Sequence, residues 1–374
     1  MAPGASGIRW SRSAQPVIDS IRSVSLGARQ VGPGHPCYVI AEIGVNHNGS
    51  MAIARQLVMA AREAGADCAK FQTFHAESLA TSAAVKAPYQ QRTTGRGESQ
   101  LDMLKRLELS RDNQAELMAF CAAQRIDFLS TPYGVEDARL LADLGVAAFK
   151  IPSALIVEPE FLRTVAGFGK PLVVSTGMSS LSEVHEAVDV IHGAGNTNLI
   201  LLQCTTEYPT NTEDANLRVM QTLADAFGVP VGYSDHTQTS TAAIVAAGLG
   251  AAVIEKHLTL DKTLDGPDHA ASADPAEFAK LVAAIREAER ALGRVEKEPT
   301  AAERENIVAM RRSVVARTVI PSGTVVDGGM LAAKRPATGI PPRDLARIIG
   351  SRARVEIAAD TPLEWWMLER PDDH

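Results

Sequence analysis

The chain carries only four cysteines (Cys37, Cys68, Cys121 and Cys204), and no two of them form a CxxC pair. That spacing argues against a zinc site or a disulfide framework and reads as reduced thiols in cytoplasm. No apolar run approaches the roughly 18 residues that span a bilayer, and the N-terminus lacks the apolar h-region of a secretory signal. No basic stripe is present: the net charge is −7, with both signs spread along the chain, so neither nucleic acid nor membrane is an expected partner. No GxGxxG opens the first helical segment, which leaves a doubly wound open sheet as the second choice of fold.

What is present is ordinary globular material. Of 374 residues, 45% are hydrophobic and 22% charged, and the length suits one large domain plus a smaller one. Residues 1–34 stand apart, with Arg9, Arg12, Arg22, Arg29, several serines and a single acid, Asp19. They are expected to be a loose N-terminal extension, with a short strand near 17–24 at most.

From residue 38 onward, short runs rich in Val and Ile alternate with longer amphipathic stretches. Strands are expected at 38–43, 67–72, 127–130, 148–151, 171–176, 199–204, 229–234 and 253–258. Helices are expected at 51–64, 112–124, 135–144, 159–167, 180–193, 215–226, 238–248 and 275–292. Eight strands, each followed by a helix, is the α/β pattern of a (β/α)8 TIM barrel. Near-continuous apolar strands fit a parallel sheet covered on both faces. Ser110 offers an N-cap oxygen, and Gly65, Gly145 and Gly195 fall where helices should stop. Residues 73–110 make one connection far longer than the rest. It is expected to be a functional loop over the C-terminal mouth of the barrel.

The stretch YVIAEIGVNHNGS (38–50) interrupts an apolar run with an acid, Glu42. An unpartnered buried carboxylate is very costly, so Glu42 needs a reason to be there. In a (β/α)8 barrel the C-terminal strand ends face the active site. Here those ends carry Glu42, Asn46 and His47; Lys70 and Gln72; Ser130, Thr131 and Tyr133; Lys150 and Ser153; Ser175 and Thr176; Gln203, Thr205, Thr206 and Tyr208; Ser234, Asp235 and His236; and Glu255, Lys256 and His257. Each alone has a plain structural explanation; eight such ends at one mouth do not. Lys70 and Lys150, with the hydroxyls of Thr131, Ser153, Ser175, Thr206 and Ser234, suit a ligand carrying a phosphate and a carboxylate. His236 and His257, on adjacent strands, suit a divalent ion that keeps open positions. A metal-bound water or a cationic neighbour would then compensate Glu42.

The motifs IAEIGVNHNGS, AKFQTF, LSTPYG, FKIPS, VVSTGMSS, CTTEYPT, GYSDHT, IEKHLT and GPDHAAS follow one another along the barrel. Together they resemble the sialic acid synthase family of phosphoenolpyruvate-dependent nonulosonate synthases. RRSVVARTVIPSGTVVDGGMLAAKRPATGI resembles the small, mostly-β antifreeze-like (SAF) domain that ends these enzymes. The resemblance implies a barrel at 35–293, a polar linker at 294–308 and a SAF domain at 309–374. It also implies a reaction: condensation of phosphoenolpyruvate with the aldehyde of an N-acetylmannosamine-type sugar, with water, giving a nonulosonic 2-keto acid and phosphate by C–O cleavage. By motif, His236 and His257 would bind the metal, manganese or else magnesium or cobalt. Glu42, Lys70 and Lys150 would be catalytic. Lys70, Thr131, Lys150, Ser153, Ser175, Thr206 and Ser234 would hold phosphoenolpyruvate. Gln72, Tyr208 and Asp268 would meet the sugar. Arg335 would reach the acyl group in a partner chain's barrel, within a domain-exchanged homodimer. The C-terminal WWML (365–368) reads as packing.

Three departures concern the sugar side. The family commonly has an acid that contacts sugar hydroxyls where this chain has Leu155. Asp265 replaces a proline before Gly266-Pro267-Asp268, and Ala337 replaces a glycine in KRPATG. An altered acceptor is the expectation, because sites built around a polar contact discriminate steeply. The alternatives are a different keto-sugar-acid synthase or a metal aldolase on the same barrel, and a non-enzymatic sugar- or ice-binding protein. The SAF tail argues against the first pair. The set Glu42, Lys70, Lys150, His236 and His257 argues against the second.

Overall fold

In the computed structural model, residues 21–95 and 97–369 are described. The chain divides into two compact units, one up to Gly293 and one from Arg294 on.

The first unit is the barrel. A hairpin of β1 (Val24–Leu26) and β2 (Arg29–Val31) precedes it. The barrel strands are β3 (Tyr38–Gly44), β4 (Cys68–Thr73), β5 (Asp127–Pro132), β6 (Phe149–Ile151), β7 (Leu172–Ser175), β8 (Leu199–Cys204), β9 (Val231–Asp235) and β10 (Val253–His257). They pair in parallel in the order β5-β4-β3-β10-β9-β8-β7-β6, and the two end strands lie side by side, nearly closing the circle. The expected (β/α)8 architecture is therefore present, and the open doubly wound sheet is not.

The outer helices are α1 (Met51–Glu63), α5 (Arg111–Gln124), α6 (Val135–Leu144), α7 (Pro159–Gly167), α8 (Leu181–Gly193), α9 (Val219–Phe227), α10 (Thr241–Gly248) and α11 (Pro275–Leu292). Their starts follow local chemistry. Ser110, Ser180 and Asp274 each accept from the backbone N–H three residues on, while Asn113, Glu183 and Glu277 reach back. Gly145 ends α6 at φ 81°.

Two expectations change. Residues 73–110 contain three short helices, α2 (Ala76–Leu79), α3 (Pro88–Thr94) and α4 (Gln100–Leu107). Helices α2 and α4 build a small satellite core, in which Met103 and Leu107 pack on Val45 and Phe74 with Leu79 beside them. The N-terminal extension is likewise not loose over its described part. Val24, Leu26 and Val31 join Tyr38, Ile40 and Leu129 in a core of their own. Arg29 pairs with Asp67 at 2.7 Å, and Asp67 also receives Arg286 at 2.9 Å. Burial of these three apolar side chains overrides the basic, serine-rich composition that suggested a loose segment. Residues 17–20 of the strand expected near 17–24 lie outside the described residues.

In the second unit, helix α12 (Ala301–Met310) takes up residues 301–308 of the expected linker and the first two of the expected SAF domain, and is started by a Thr300–Glu303 capping box. Small antiparallel pairs follow: β11 (Ser313–Ala316) with β12 (Leu331–Lys334), and β13 (Arg352–Ala353) with β14 (Leu368–Glu369). Val314, Ile320, Ile340, Ile357, Leu363 and Met367 fill the centre of this unit. Of the WWML segment, Met367 and Leu368 are core, Trp365 packs against it and Trp366 is exposed.

Candidate active site

Glu42 lies on β3, directly opposite Lys70 on β4 and His257 on β10. The strand shifts register between Glu42 and Gly44, and Gly44 adopts φ 54°. A Cβ on Gly44 would come within 3.1 Å of Glu42 Oε1 and 3.2 Å of Gln72 Nε2. This accounts for the glycine that follows the acid so closely: the backbone must turn while the carboxylate and amide meet beside it.

The charges at the barrel mouth form a chain. Lys70 Nζ lies 2.6 Å from Glu42 Oε2 and donates to Thr131 Oγ1 at 3.1 Å. Gln72 Nε2 donates to Glu42 Oε1 at 3.1 Å. Glu255 stands between the lysines, 3.6 Å from Lys70 Nζ and 3.6 Å from Lys150 Nζ. Ser234 Oγ donates to Glu255 at 2.9 Å, and Lys150 Nζ donates to Ser175 Oγ at 2.7 Å. All four charged side chains are buried. Two ammonium groups are thus held ready by two carboxylates.

Burial pushes the Glu42 carboxyl up against the pull of Lys70, and the negative charge of Glu255 adds to the rise. For Glu255 burial acts in the same direction, but Lys150 and Lys70 outweigh it and hold the group at about 2. Burial lowers Lys150. Glu255 is the residue that sequence reasoning named without giving it a role. Its signal was legible: an acid two residues before His257 shares that histidine's strand face.

His236 and His257 follow on β9 and β10, with ring centroids 5.6 Å apart. His236 Nδ1 lies 2.8 Å from the Thr205 carbonyl, which can only accept. Nδ1 therefore carries a proton, and in the neutral ring Nε2 keeps its lone pair. That tautomer, fixed by a backbone carbonyl, is the one seen in metal-ligating histidines. His257 Nδ1 is buried with no hydrogen-bond partner, and burial together with His236 lowers its pKa well below the usual imidazole range. No group of three or more His, Cys, Asp or Glu placed to hold a metal occurs among the described residues. The donor set thus fits a divalent ion only as a two-imidazole site with its remaining positions open.

These residues share one cavity of about 360 Å³. Glu42, Lys70, Gln72, Thr131, Lys150, Ser153, Ser175, Thr206, Tyr208, Ser234, His236, His257 and Asp268 all line it. Arg335 belongs to the other unit, where its Nε donates to the Met310 carbonyl at 3.0 Å. The long connection 73–110 supplies a wall of the site, over the barrel mouth as expected, through side chains that were not named from the sequence. Leu79, Tyr89, Gln90, Met103, Leu104 and Leu107, from α2, α3 and α4, line the same cavity. The Tyr89 ring lies 4.8 Å from that of Tyr208, which in turn lies 4.1 Å from His236. Leu155 is buried in the main hydrophobic cluster, and its neighbour Ala154 is the residue that lines the cavity. Asp268 is raised to about 7, by burial first and by Glu42 second.

Residues 57–297 match the NeuB family and residues 311–369 match the SAF domain. The chain is 43% identical over 347 residues to N,N'-diacetyllegionaminic acid synthase of Legionella pneumophila, covering 92% of this chain and 98% of that one. It is 45% identical over 304 residues to N,N'-diacetyllegionaminic acid synthase of Campylobacter jejuni, covering 81% and 91%. Among solved structures, N-acetylneuraminic acid (sialic acid) synthetase of Leptospira borgpetersenii matches with a TM-score of 0.67 at 32% identity, covering 77% of this chain and 95% of that one. The match spans both barrel and tail, and the chain belongs to the NeuB family of sialic acid synthase-like enzymes.

Proposed function

We propose that this enzyme condenses phosphoenolpyruvate with the open-chain aldehyde of a 2-acylamino sugar, yielding a nonulosonic 2-keto acid and inorganic phosphate. The observation that carries the reading is the convergence in one cavity of two buried lysines, a set of hydroxyls and two imidazoles. Lys70, Thr131, Lys150, Ser153, Ser175, Thr206 and Ser234 would hold phosphoenolpyruvate. Its anionic groups would compete with Glu42 and Glu255 for the two ammonium groups.

The enol carbon C3 would bond to the aldehyde carbon, whose oxygen takes a proton. Water would add at C2, and the adduct would expel phosphate by breaking its C2–O bond. Glu42 is assigned to orient that water and take its proton. His236 and His257 would hold a divalent ion, manganese or else magnesium or cobalt. Bound there, the ion would act as a Lewis acid on the aldehyde. Gln72, Tyr208 and Asp268 would meet the sugar.

The acceptor is proposed to bear acyl or other apolar groups where N-acetylmannosamine has free hydroxyls. Ala154 stands at the cavity where the family's acid would be expected nearby, and Leu155 is turned into the core. Tyr89, Leu79 and Leu104 add apolar surface, and the two curated relatives described above carry the name N,N'-diacetyllegionaminic acid synthase. We further assign the C-terminal unit to a domain-exchanged homodimer in which Arg335 meets the acyl group in the second chain. The four buried, unpaired cysteines suit the reducing cytoplasm.

A phosphate-release assay with phosphoenolpyruvate, manganese and a panel of acylamino hexoses tests the reading. Release that depends on an acylamino sugar, and is fastest with a diacylated deoxy sugar, is the expected result. Release with no dependence on any sugar would overturn it.

A further inference from the structure

The polar run Asn46-His47-Asn48 lies immediately after the strand of Glu42, yet none of the three residues lines the cavity. Asn46 and His47 are buried. Asn46 Nδ2 donates to the Leu258 carbonyl at 2.9 Å and to Ser272 Oγ at 2.8 Å. Ser272 Oγ in turn donates to the backbone carbonyl of Asp268 at 2.7 Å. Asn48 Nδ2 donates to the Asp265 carbonyl at 2.9 Å, and its Oδ1 lies 3.2 Å from His269 Nε2. An amide oxygen only accepts, so His269 carries its proton on Nε2. Its Nδ1 lies 2.6 Å from Thr259 Oγ1. Gly266 makes room for this arrangement: a Cβ there would fall 2.5 Å from His269 Cδ2.

Every one of these bonds ends on the segment 258–272, which runs from the end of β10 to beyond Asp268. The Asp268 carboxylate has no such support of its own. It is buried, its Oδ1 has no hydrogen-bond partner, and no side-chain bond to it is found among the described residues. Its aim is therefore set by its backbone, and its backbone is tied to Asn46 through Ser272.

We propose that Asn46 and Asn48 form a clamp that positions Asp268 for the acceptor sugar. The clamp rests on the reading of Asp268 as an acceptor contact. Asn46 is a positioning residue that acts through Ser272, and Asn48 is one that acts through the Asp265 carbonyl and His269. Glu42 and the clamp share one connection, so the strand that supplies the acid also fixes the loop that meets the sugar.

Asn46→Asp is the sharpest variant, because it keeps the shape of the side chain and removes both donated hydrogen bonds. Asn46→Ala and Ser272→Ala accompany it. Misaiming a substrate contact by about an ångström can cost up to roughly a hundredfold. The expected result is a roughly ten- to hundredfold lower kcat/KM for the acceptor in all three variants. Calorimetric binding of phosphoenolpyruvate should stay within about twofold of wild type, since its proposed contacts lie on other strands. The double variant Asn46→Ala/Ser272→Ala should lose no more than the single ones, as members of one chain do.

Hydrogen exchange gives a readout independent of turnover: amides of 258–272 should exchange faster in Asn46→Ala while those of β4–β9 do not change. Equal losses toward sugar and phosphoenolpyruvate, or unchanged exchange over 258–272, would overturn the clamp. A wild-type enzyme that releases no phosphate with any sugar would overturn the functional reading instead, and the exchange measurement would still decide the clamp.

Discussion

Glu42 is the partner of Lys70 and, in the proposed function, the agent of proton transfer; the two roles can be separated. The 2.6 Å pair shows the first; the second predicts kinetics. Glu42→Gln keeps the shape and the bond from Gln72, so phosphoenolpyruvate binding and the fold should persist. Turnover should nevertheless fall by roughly two to four decades, the range for losing a general acid–base group. A rate near wild type would leave Glu42 as the lysine's partner alone.

Asp268 makes a prediction about stability. Its carboxyl is raised to about 7 in the folded state, by burial, against about 3.9 for a free side chain. A raised acid is favourable to the fold below its unfolded value, and that advantage is lost as pH rises toward 7. Asp268→Asn should therefore melt higher than wild type at pH 8, with the gap closing toward pH 4. A gap that widens toward acid would contradict the assignment.

Leu155→Glu tests where the departure from the family acts. Leu155 is in the core, so an acid there would be an unpartnered buried charge and should cost about 3 kcal/mol or more in denaturant unfolding. Rates with N-acetylmannosamine should not improve. Improved rates at full stability would show that the turn after β6 can redirect this side chain into the cavity.

At the level of elements, the barrel was legible because each strand is a short apolar run between caps that obey local rules, such as Ser180 with Glu183. Two pieces lack such a period, the hairpin and the helices of the long connection, although the connection's place over the mouth was expected. The β1–β2 hairpin contributes only Val24, Leu26 and Val31 to a core, too few residues to stand out among arginines and serines. The helices α2, α3 and α4 are 4, 7 and 8 residues long; α2 and α4 owe their stability to packing on Val45 and Phe74 rather than to a pattern of their own. For the same reason Tyr89 went unseen as a wall of the site, whereas Glu255 was visible but unassigned. Removing a buried Leu side chain costs about 2–5 kcal/mol, so Leu26→Ala should lower unfolding stability by that order while leaving phosphoenolpyruvate KM unchanged. A loss below about 0.5 kcal/mol, the surface range, would return the hairpin to the status of a loose extension.

In the whole molecule as proposed, the barrel holds the chemistry and the second unit carries Arg335. If Arg335 completes the site of a second chain, Arg335→Ala and His257→Ala proteins should each be weak. Re-annealed as an equal mixture, half of the dimers would be hybrids with one intact site of two, restoring roughly a quarter of wild-type activity. Absence of any restoration, or a monomer by light scattering, would contradict the exchange.

The central claim is that one cavity joins phosphoenolpyruvate to an acylamino sugar and expels phosphate from C2. The most direct test is turnover of phosphoenolpyruvate labelled with ¹⁸O at the bridging oxygen, followed by mass spectrometry of both products. The account predicts the label in inorganic phosphate and a keto acid heavier than the sugar by the pyruvate unit. Label retained in the organic product, or phosphate released without a joined product, would contradict it.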